Sequence, residues 1–530
     1  PDAKQPENEH SDVNEPLRWF SSTRRQLLAP FGTGTIDQAL LAVLPARFAA
    51  LRYFALAGKV VVIDEVHSFD PYMSALIDRL VEHLIKAGGT VIILSATLTA
   101  ARRAELVKAA GAIEPPAPDA YPLITKVSAG AQQAEHRTQS TCSGSQIVQL
   151  RHHTLRPENE DSIWREVAEK VEAGANVVVI RNSVALAQNT YRDLRSRLTE
   201  RIPPENVGLL HSRFPQHERE RNEGHWTERL GKHDSARSQG SLLVATQIVE
   251  QSVDIDADYL VTDLAPTELI LQRIGRLHRH QRSRPAGFEQ AVCHILHPYT
   301  DWKGDTKTVQ AALEPHHWIY PPLALWQAAE TLGTHESLTL PTDIRPLLEQ
   351  ATKMSPGAKS GCALNRFKEG SEYDRGNRQG SAKSSRIFSD PKADKEGVGT
   401  RYKIKPTAQL IILPAIPFEQ GSAVTWQLPD GTTKRVRAGE FDYALAKELH
   451  RLATRIPYYL VEDQVKAAPD WLRQHIDSAV IATLPEGGTE LKLYPDVSKT
   501  HSLHYREDIG VSYQKDEKLP EFTEPEDYWF

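Results

Sequence analysis

The sequence predicts an α/β chain of two lobes built on parallel sheets, followed by a smaller carboxy-terminal domain. Three observations carry this. Short apolar runs end abruptly in polar residues, as in Val61-Val62-Ile63-Asp64-Glu65-Val66-His67 and Thr90-Val91-Ile92-Ile93-Leu94-Ser95-Ala96-Thr97. Such runs read as buried parallel strands whose carboxyl ends face a ligand crevice. Helical patterns separate the runs, which gives a β-α-β alternation. The alternation then restarts after residues 114–162, a stretch rich first in Pro and then in Ser, Gln and Thr.

Taken in order, residues 1–130 read as the carboxy-terminal part of a first lobe. A helical pattern runs from Leu40 to Phe54, then come the Asp64 strand, a helix over Met73–Lys86 and the Ser95 strand. Residues 131–162 read as the connection between lobes. A second α/β lobe is expected over 163–345, with strands at Val177–Ile180, Val207–His211, Ser241–Thr246 and Tyr259–Asp263. Residues 346–400 read as a basic linker, because 353–400 is poor in large apolar side chains and rich in Gly, Ser, Lys and Arg, the composition of a mobile linker or loop. Residues 401–530 hold strand-like runs (Leu410–Leu413, Val424–Leu428) and one helical stretch, Phe441–Thr454.

The 530 residues suffice for about three domains. Apolar content of 40% and charged content of 25% are those of a globular protein. A net charge of −6 gives no global sign of nucleic-acid binding, so any such contact rests on local basic grooves. Cys142, Cys293 and Cys362 are far apart and lack metal-ligand spacing, which points to a reducing, cytoplasmic setting without disulfides or a zinc site. No apolar run approaches the ~20 residues of a membrane span. The chain opens on Pro1 and a polar, acidic stretch, and reads as a piece of a longer one.

An Asp-Glu pair at a strand end suits nucleoside-triphosphate hydrolysis. One carboxylate holds Mg²⁺ through its water shell while the other orients and deprotonates the attacking water. The second lobe carries its own set. Val244-Ala245-Thr246-Gln247-Ile248-Val249-Glu250-Gln251-Ser252-Val253-Asp254 follows a strand, and Gln272-Arg273-Ile274-Gly275-Arg276-Leu277-His278-Arg279 comes after it. Arginines three apart fall along one helix face, where their guanidinium groups can reach a γ-phosphate.

This ordered set resembles superfamily 2 helicases, whose two RecA-like lobes bind ATP between them and single-stranded nucleic acid across their top. The wording of Gly34-Thr35-Ile36-Asp37-Gln38-Ala39-Leu40-Leu41, Leu51-Arg52, Ile63–Asp70, His211-Ser212-Arg213-Phe214 and Val249–Asp254 is similar to the CRISPR-associated helicase-nuclease of type I systems. Tyr505-Arg506-Glu507-Asp508-Ile509-Gly510 is similar to that family's terminal Tyr…Gly segment. The match is strong over residues 20–290 and loose elsewhere.

The resemblance implies roles. Asp64 would hold Mg²⁺ through water, and Glu65 would be the catalytic base. His67 would link the nucleotide site to Ser95-Ala96-Thr97, coupling hydrolysis to lobe movement. Arg276 and Arg279 would reach the γ-phosphate with Gln272 beside them, and Asp254 would touch the ribose or the lobe interface. Thr35, Arg181, Ser212 and Thr246 would contact the DNA backbone, which suits a motor that must not stall on sequence. The implied cofactors are ATP and Mg²⁺. The implied partners are single-stranded DNA and the RNA-guided surveillance complex of a type I system, with no membrane.

Two departures stand beside the match. No Gly-x-x-x-x-Gly-Lys-Ser/Thr occurs in the sequence, and Phe31-Gly32-Thr33-Gly34-Thr35 has no Lys to cradle phosphates. The family's amino-terminal HD nuclease has no counterpart either. The first lobe is therefore expected to be incomplete, and this chain alone is expected to lack ATPase and nuclease activity. His152-His153, His316-His317 and His278-Arg279-His280 read as surface or loop histidines. Trp19, Trp164, Trp226 and Trp426 read as core or interface anchors, and the acidic-aromatic tail 524–530 as docked or disordered. Two alternatives remain open at this level: an ATP-silent DNA-binding or docking subunit, and a general superfamily 2 DNA-repair helicase.

Overall fold

The computed structural model describes residues 25–66, 69–117, 120–138, 144–232, 239–250, 253–357, 362–384, 399–402, 406–497 and 501–515. The chain divides into two compact units, residues 1–142 with 370–404, and residues 143–369 with 405–530.

The first unit is built on β1 (Val60–Ile63) and β2 (Thr90–Ile93), which pair in parallel with Ile63 opposite Ile93. Helix Pro71–Lys86 makes the crossover between them. It starts where expected because Asp70 caps it, accepting from the amides of Tyr72 (2.7 Å) and Met73 (3.0 Å), and because Pro71 at the first turn needs no amide partner. Its apolar stripe of Met73, Leu76, Ile77, Leu80 and Leu84 packs with Leu40, Leu44, Ile63 and Leu106. The Leu40–Phe54 pattern resolves into two helices, Ile36–Leu40 and Ala49–Leu56. A small antiparallel pair, β3 (Leu123–Lys126) and β4 (Glu135–Thr138), lies downstream.

The expectation of strands buried on both faces fails in this unit. On one face of the β1–β2 pair, Val60, Val62, Ile92 and Leu94 are 63, 56, 42 and 47% exposed. The apolar runs specify strands fit for burial, but among the described residues nothing covers this face. Residues 370–404 return to this unit. Ala382 and Tyr402 join its core, Arg79 donates to the carbonyl of Ala382 (2.7 Å), and Thr400 Oγ1 donates to Asp37 (2.6 Å).

The second unit holds a seven-stranded sheet. Its members are β5 (Gln146–Leu155), β6 (Asn176–Ile180), β7 (Val207–Leu210), β8 (Ser241–Ala245), β9 (Tyr259–Asp263), β10 (Ala291–Pro298) and β11 (Ser337–Leu340). Their order is β11-β5-β10-β9-β6-β8-β7, parallel except for β11. Every residue of β6, β8 and β9 is buried, as continuous apolar runs under helices require.

Two expected boundaries are corrected. Residues 131–162 were read as a connection, yet β5 pairs with β10 over eight residues and is an inner strand of the sheet. Residues 346–400 were read as a linker, yet Cys362–Ser384 is a helix. Its glycines 370, 376 and 380 make a poor intrinsic helix, which is why composition read it as a linker. Ala363 is buried in the second unit, and Ala382 is buried in the first.

The remainder of the second unit is a mixed four-stranded sheet, β16-β12-β17-β18, a three-stranded sheet, β13-β14-β15, and a hairpin, β19-β20. Here β12 is Thr407–Leu413, β13 Phe418–Gln420, β14 Ala423–Gln427, β15 Thr433–Arg437, β16 Ala453–Pro457, β17 Ala479–Thr483, β18 Lys492–Tyr494, β19 His501–Arg506 and β20 Gly510–Lys515. Trp426 and Trp471 meet edge to face at 5.2 Å in its core. Trp164 and Trp226 are buried too, while Trp19 lies outside the described residues. Among the described residues no helix is long and apolar enough to cross a membrane.

Candidate functional site

Each unit carries its own set of candidate residues. In the first, Asp64 and Glu65 directly follow β1, and Ser95 and Ala96 follow β2 by one residue, so both segments lie at the carboxyl edge of the parallel pair. The ladder continues past the strands: Leu94 donates to Ile63 (2.9 Å) and Val66 donates to Leu94 (3.4 Å). Asp64 is exposed, and its Oδ1 accepts the Glu65 amide at 2.9 Å. Glu65 has φ +55°, the left-handed region, which costs a non-glycine residue about 1 kcal/mol and is concentrated at working sites. Thr97 is buried, and among the described residues its hydroxyl has no hydrogen-bond partner. Ser95 is half-buried and Ala96 exposed. Thr35 is exposed at the start of helix Ile36–Leu40. His67 lies outside the described residues.

In the second unit, strands β6, β7 and β8 end together, with Ile180 and Leu210 both opposite Ala245. This brings Arg181, Ser212 and Thr246 to one edge of the sheet. Their exposures differ. Ser212 is exposed. Thr246 is buried, and its amide bonds the carbonyl of Leu210 at 3.1 Å. Arg181 is 2% exposed and does not present its guanidinium to solvent. It bonds Asp263 (3.0 Å) and Thr190 (2.9 Å) and stacks 5.2 Å from the ring of Trp164. The expected backbone contact from Arg181 is therefore corrected to a buried ion pair, because Asp263 at the end of β9 claims it.

The arginine series is also corrected. The helix Thr267–Ile274 stops at its Gly275 cap, and His278 takes φ +49°, so Arg276 and Arg279 lie beyond it rather than along its face. Leu277 forms a parallel bridge with Ala257. Arg276 is buried and donates to the carbonyl of Glu250. Arg279 is partly exposed and paired with Asp254 at 2.8 Å; His280 bonds the same carboxylate at 3.1 Å. The structure thus joins two of the expected residues, Asp254 and Arg279. Gln272 is half-buried on the helix.

Sequence reasoning missed the group that holds these pieces. Arg273 is fully buried. It bonds Glu250 (2.7 Å), Thr262 Oγ1 (2.8 Å), the carbonyl of Asp263 (3.0 Å) and Tyr320 Oη (3.2 Å). Burial pushes the Glu250 carboxyl up, and Arg273 opposes that shift. A second buried network joins Arg284 to Asp256 (2.9 Å) and Asp258 (2.7 Å), with Arg282 on Asp256 (2.8 Å). The alternation Asp254-Ile255-Asp256-Ala257-Asp258 was the available signal. Of the histidines read as surface or loop, His152 is exposed, and His278 and His280 lie in the loop beyond the helix Thr267–Ile274, but the others are drawn into the fold. His152 and His153 on β5 bond His297 and His294 on β10, each at 2.8 Å, and His316 is buried against Asn182.

A family model for "CRISPR-associated nuclease/helicase Cas3, C-terminal" matches residues 173–282. The CRISPR-associated endonuclease/helicase Cas3 of Escherichia coli (strain K12) is 36% identical over 290 residues, covering 53% of this chain and 32% of that protein. The Cas3 nuclease/helicase of Streptococcus thermophilus is 33% identical over 356 residues, covering 65% of this chain and 36% of that protein. Among solved structures, T. fusca Cas3 with AMPPNP superposes with a TM-score of 0.77 at 25% identity, over 93% of this chain and 58% of that one. The chain spans only 32 to 38% of the length of the first three curated relatives.

Proposed function

We propose that this chain, a relative of the Cas3 nuclease/helicases, is the helicase portion of an ATP-dependent single-stranded-DNA translocase and nuclease that degrades invading DNA in type I CRISPR interference. The observation that carries this reading is the meeting of Asp64-Glu65 with Ser95-Ala96-Thr97 at one carboxyl edge, with Glu65 held at φ +55°. In this reading ATP is the substrate. Asp64 is an exposed oxygen donor of the kind a hydrated Mg²⁺ accepts, and the ion would neutralise phosphate charge. Glu65 takes the proton of the attacking water, and His67 and Ser95-Ala96-Thr97 carry the change onward. Arg276 and Arg279, with Gln272, serve the γ-phosphate, and Asp254 holds Arg279 in place. Thr35, Ser212 and Thr246 serve the DNA backbone. The partners are single-stranded DNA and an RNA-guided surveillance complex, in the cytoplasm.

Two measurements on the chain test this. Fluorescent single-stranded DNA of several sequences, titrated over a range of salt, should bind weakly, without sequence preference and with a steep salt response. A flat salt response or a marked preference for one sequence refutes the backbone reading. Steady-state ATP turnover should stay at background, because the sequence holds no phosphate loop. Robust turnover abolished by Glu65→Gln would show that this chain has a phosphate site of its own. In a longer chain that includes the loop, Glu65→Gln should cut turnover by ~10²-fold or more.

A further inference from the structure

Two segments some 300 residues apart meet in the second unit. His211, Ser212, Arg213 and Phe214 follow β7, and Ile509 and Gly510 turn the hairpin between β19 and β20. The imidazole of His211 sits between them. Its Nε2 donates to the carbonyl of Ile509 at 2.9 Å, and its Nδ1 accepts the amide of Arg213 at 3.1 Å. That pattern fixes the neutral tautomer with the proton on Nε2, and burial holds the group neutral by lowering its pKa to about 3. Gln188 donates to the carbonyls of Ile509 and Val511, both at 3.0 Å, and the Val511 amide donates to the carbonyl of Arg213 at 2.9 Å. The guanidinium of Arg213 lies 4.8 Å from the ring of Tyr513. Tyr505 bonds the buried Glu218 on the helix that follows the loop.

Only glycine fits where the turn runs into β20. Gly510 has φ +71°, and a Cβ there would lie 2.8 Å from the carbonyl oxygen of Arg213 and 2.9 Å from His211 Cε1. Ile509 is buried in the lobe's own core with Phe214. Every residue of the loop is thus gripped except the side chain of Ser212, which stays exposed while its carbonyl accepts from Thr454 at 3.4 Å.

We propose that the β19–β20 hairpin is a brace that sets the conformation of the Ser212–Arg213 loop, which makes Gly510, Gln188 and Tyr513 positioning residues for single-stranded-DNA contact by the second lobe. This rests on the reading that Ser212 touches the DNA backbone. A backbone contact depends on where one hydroxyl and the adjoining peptide groups stand. The brace supplies that placement from outside the lobe.

The test uses the full chain and two readouts. Amide exchange without DNA reports the brace: in Gly510→Ala the amides of Arg213 and Val511 should exchange about 10-fold faster or more. Tyr513→Leu, which removes the ring beneath Arg213 without altering the turn, should shift them in the same direction. Affinity for fluorescent single-stranded DNA reports the role. Gly510→Ala and Ser212→Ala should each weaken binding about 3- to 10-fold, and the double variant should be no weaker than the poorer single one, since both act through one contact. Unchanged exchange in both hairpin variants overturns the brace. Additive losses in the double variant overturn the claim that it acts through Ser212. Full affinity in Ser212→Ala refutes the DNA reading of the loop and with it the positioning role, while the exchange data still decide the brace by themselves.

Discussion

Arg273 offers the sharpest stability test, because the structure moves it from the expected phosphate-facing series into the interior. Arg273→Met keeps length and apolar stem but deletes the guanidinium. Four acceptors lose a donor, among them the nearly buried carboxylate of Glu250. Breaking one side of a buried ion pair costs about 3–5 kcal/mol, mostly from the charge left behind. Because burial already pushes the Glu250 carboxyl up, the orphaned group takes up a proton more readily, which caps the loss near the lower end of that range. Urea unfolding followed by tryptophan fluorescence reads it, since Trp164 and Trp226 are buried in this lobe. We expect the transition of the second unit to move by about 3 kcal/mol, and Glu250→Met added to Arg273→Met to restore much of it. A single variant that loses under about 1 kcal/mol, or two losses that simply add, would refute the buried-pair argument.

Two further outcomes are expected. Amide exchange should be ~10-fold or more faster in β1 and β2 than in β6, β8 and β9, because the first pair has an open apolar face and two unpaired edges among the described residues; equal protection would mean that the face is covered in solution. His211, His294 and His297 should stay neutral at pH 5, because burial lowers their pKa values to about 3, 3 and 4. The unfolded chain then binds the extra protons, so the stability these groups contribute is full above about pH 6.5 and falls as the pH drops, by about 2 kcal/mol for His211 at pH 5. An imidazole NMR titration checks it, and titration of these three near 6.5 would refute it.

How much of this was legible in the sequence depends on the distance over which each feature is decided. The strands β6, β8 and β9 were readable because an apolar run buried on both faces is a local pattern. The run of β1 is as apolar, but whether a neighbour covers its outer face is not written in the run itself. Spacing placed Arg273, Arg276 and Arg279 on one helix; the chain leaves the helix at Gly275 and turns at His278, conformations that spacing does not encode. Arg181 matched a surface role by position, yet its partner Asp263 is 82 residues away. The helix Cys362–Ser384 has no apolar period and three glycines, so no local pattern announces it. The segments around Ser212 and Gly510 were both marked by their wording, but no local pattern could show that they touch.

The return of residues 370–404 to the first unit has a consequence during synthesis. Arg79, Asp37 and Tyr72 take partners at Ala382, Thr400 and Gly399, all beyond the intervening residues 143–369. A ribosome adds about 5–20 residues per second. The opening 142 residues therefore wait on the order of 10 to 45 s, while the whole middle of the chain is made, before their closing segment emerges. Through that interval the unit presents its apolar face with part of its core still missing, so nascent-chain chaperones have a long opportunity at the first lobe, which closes by residue 404 only after most of the second unit has been made.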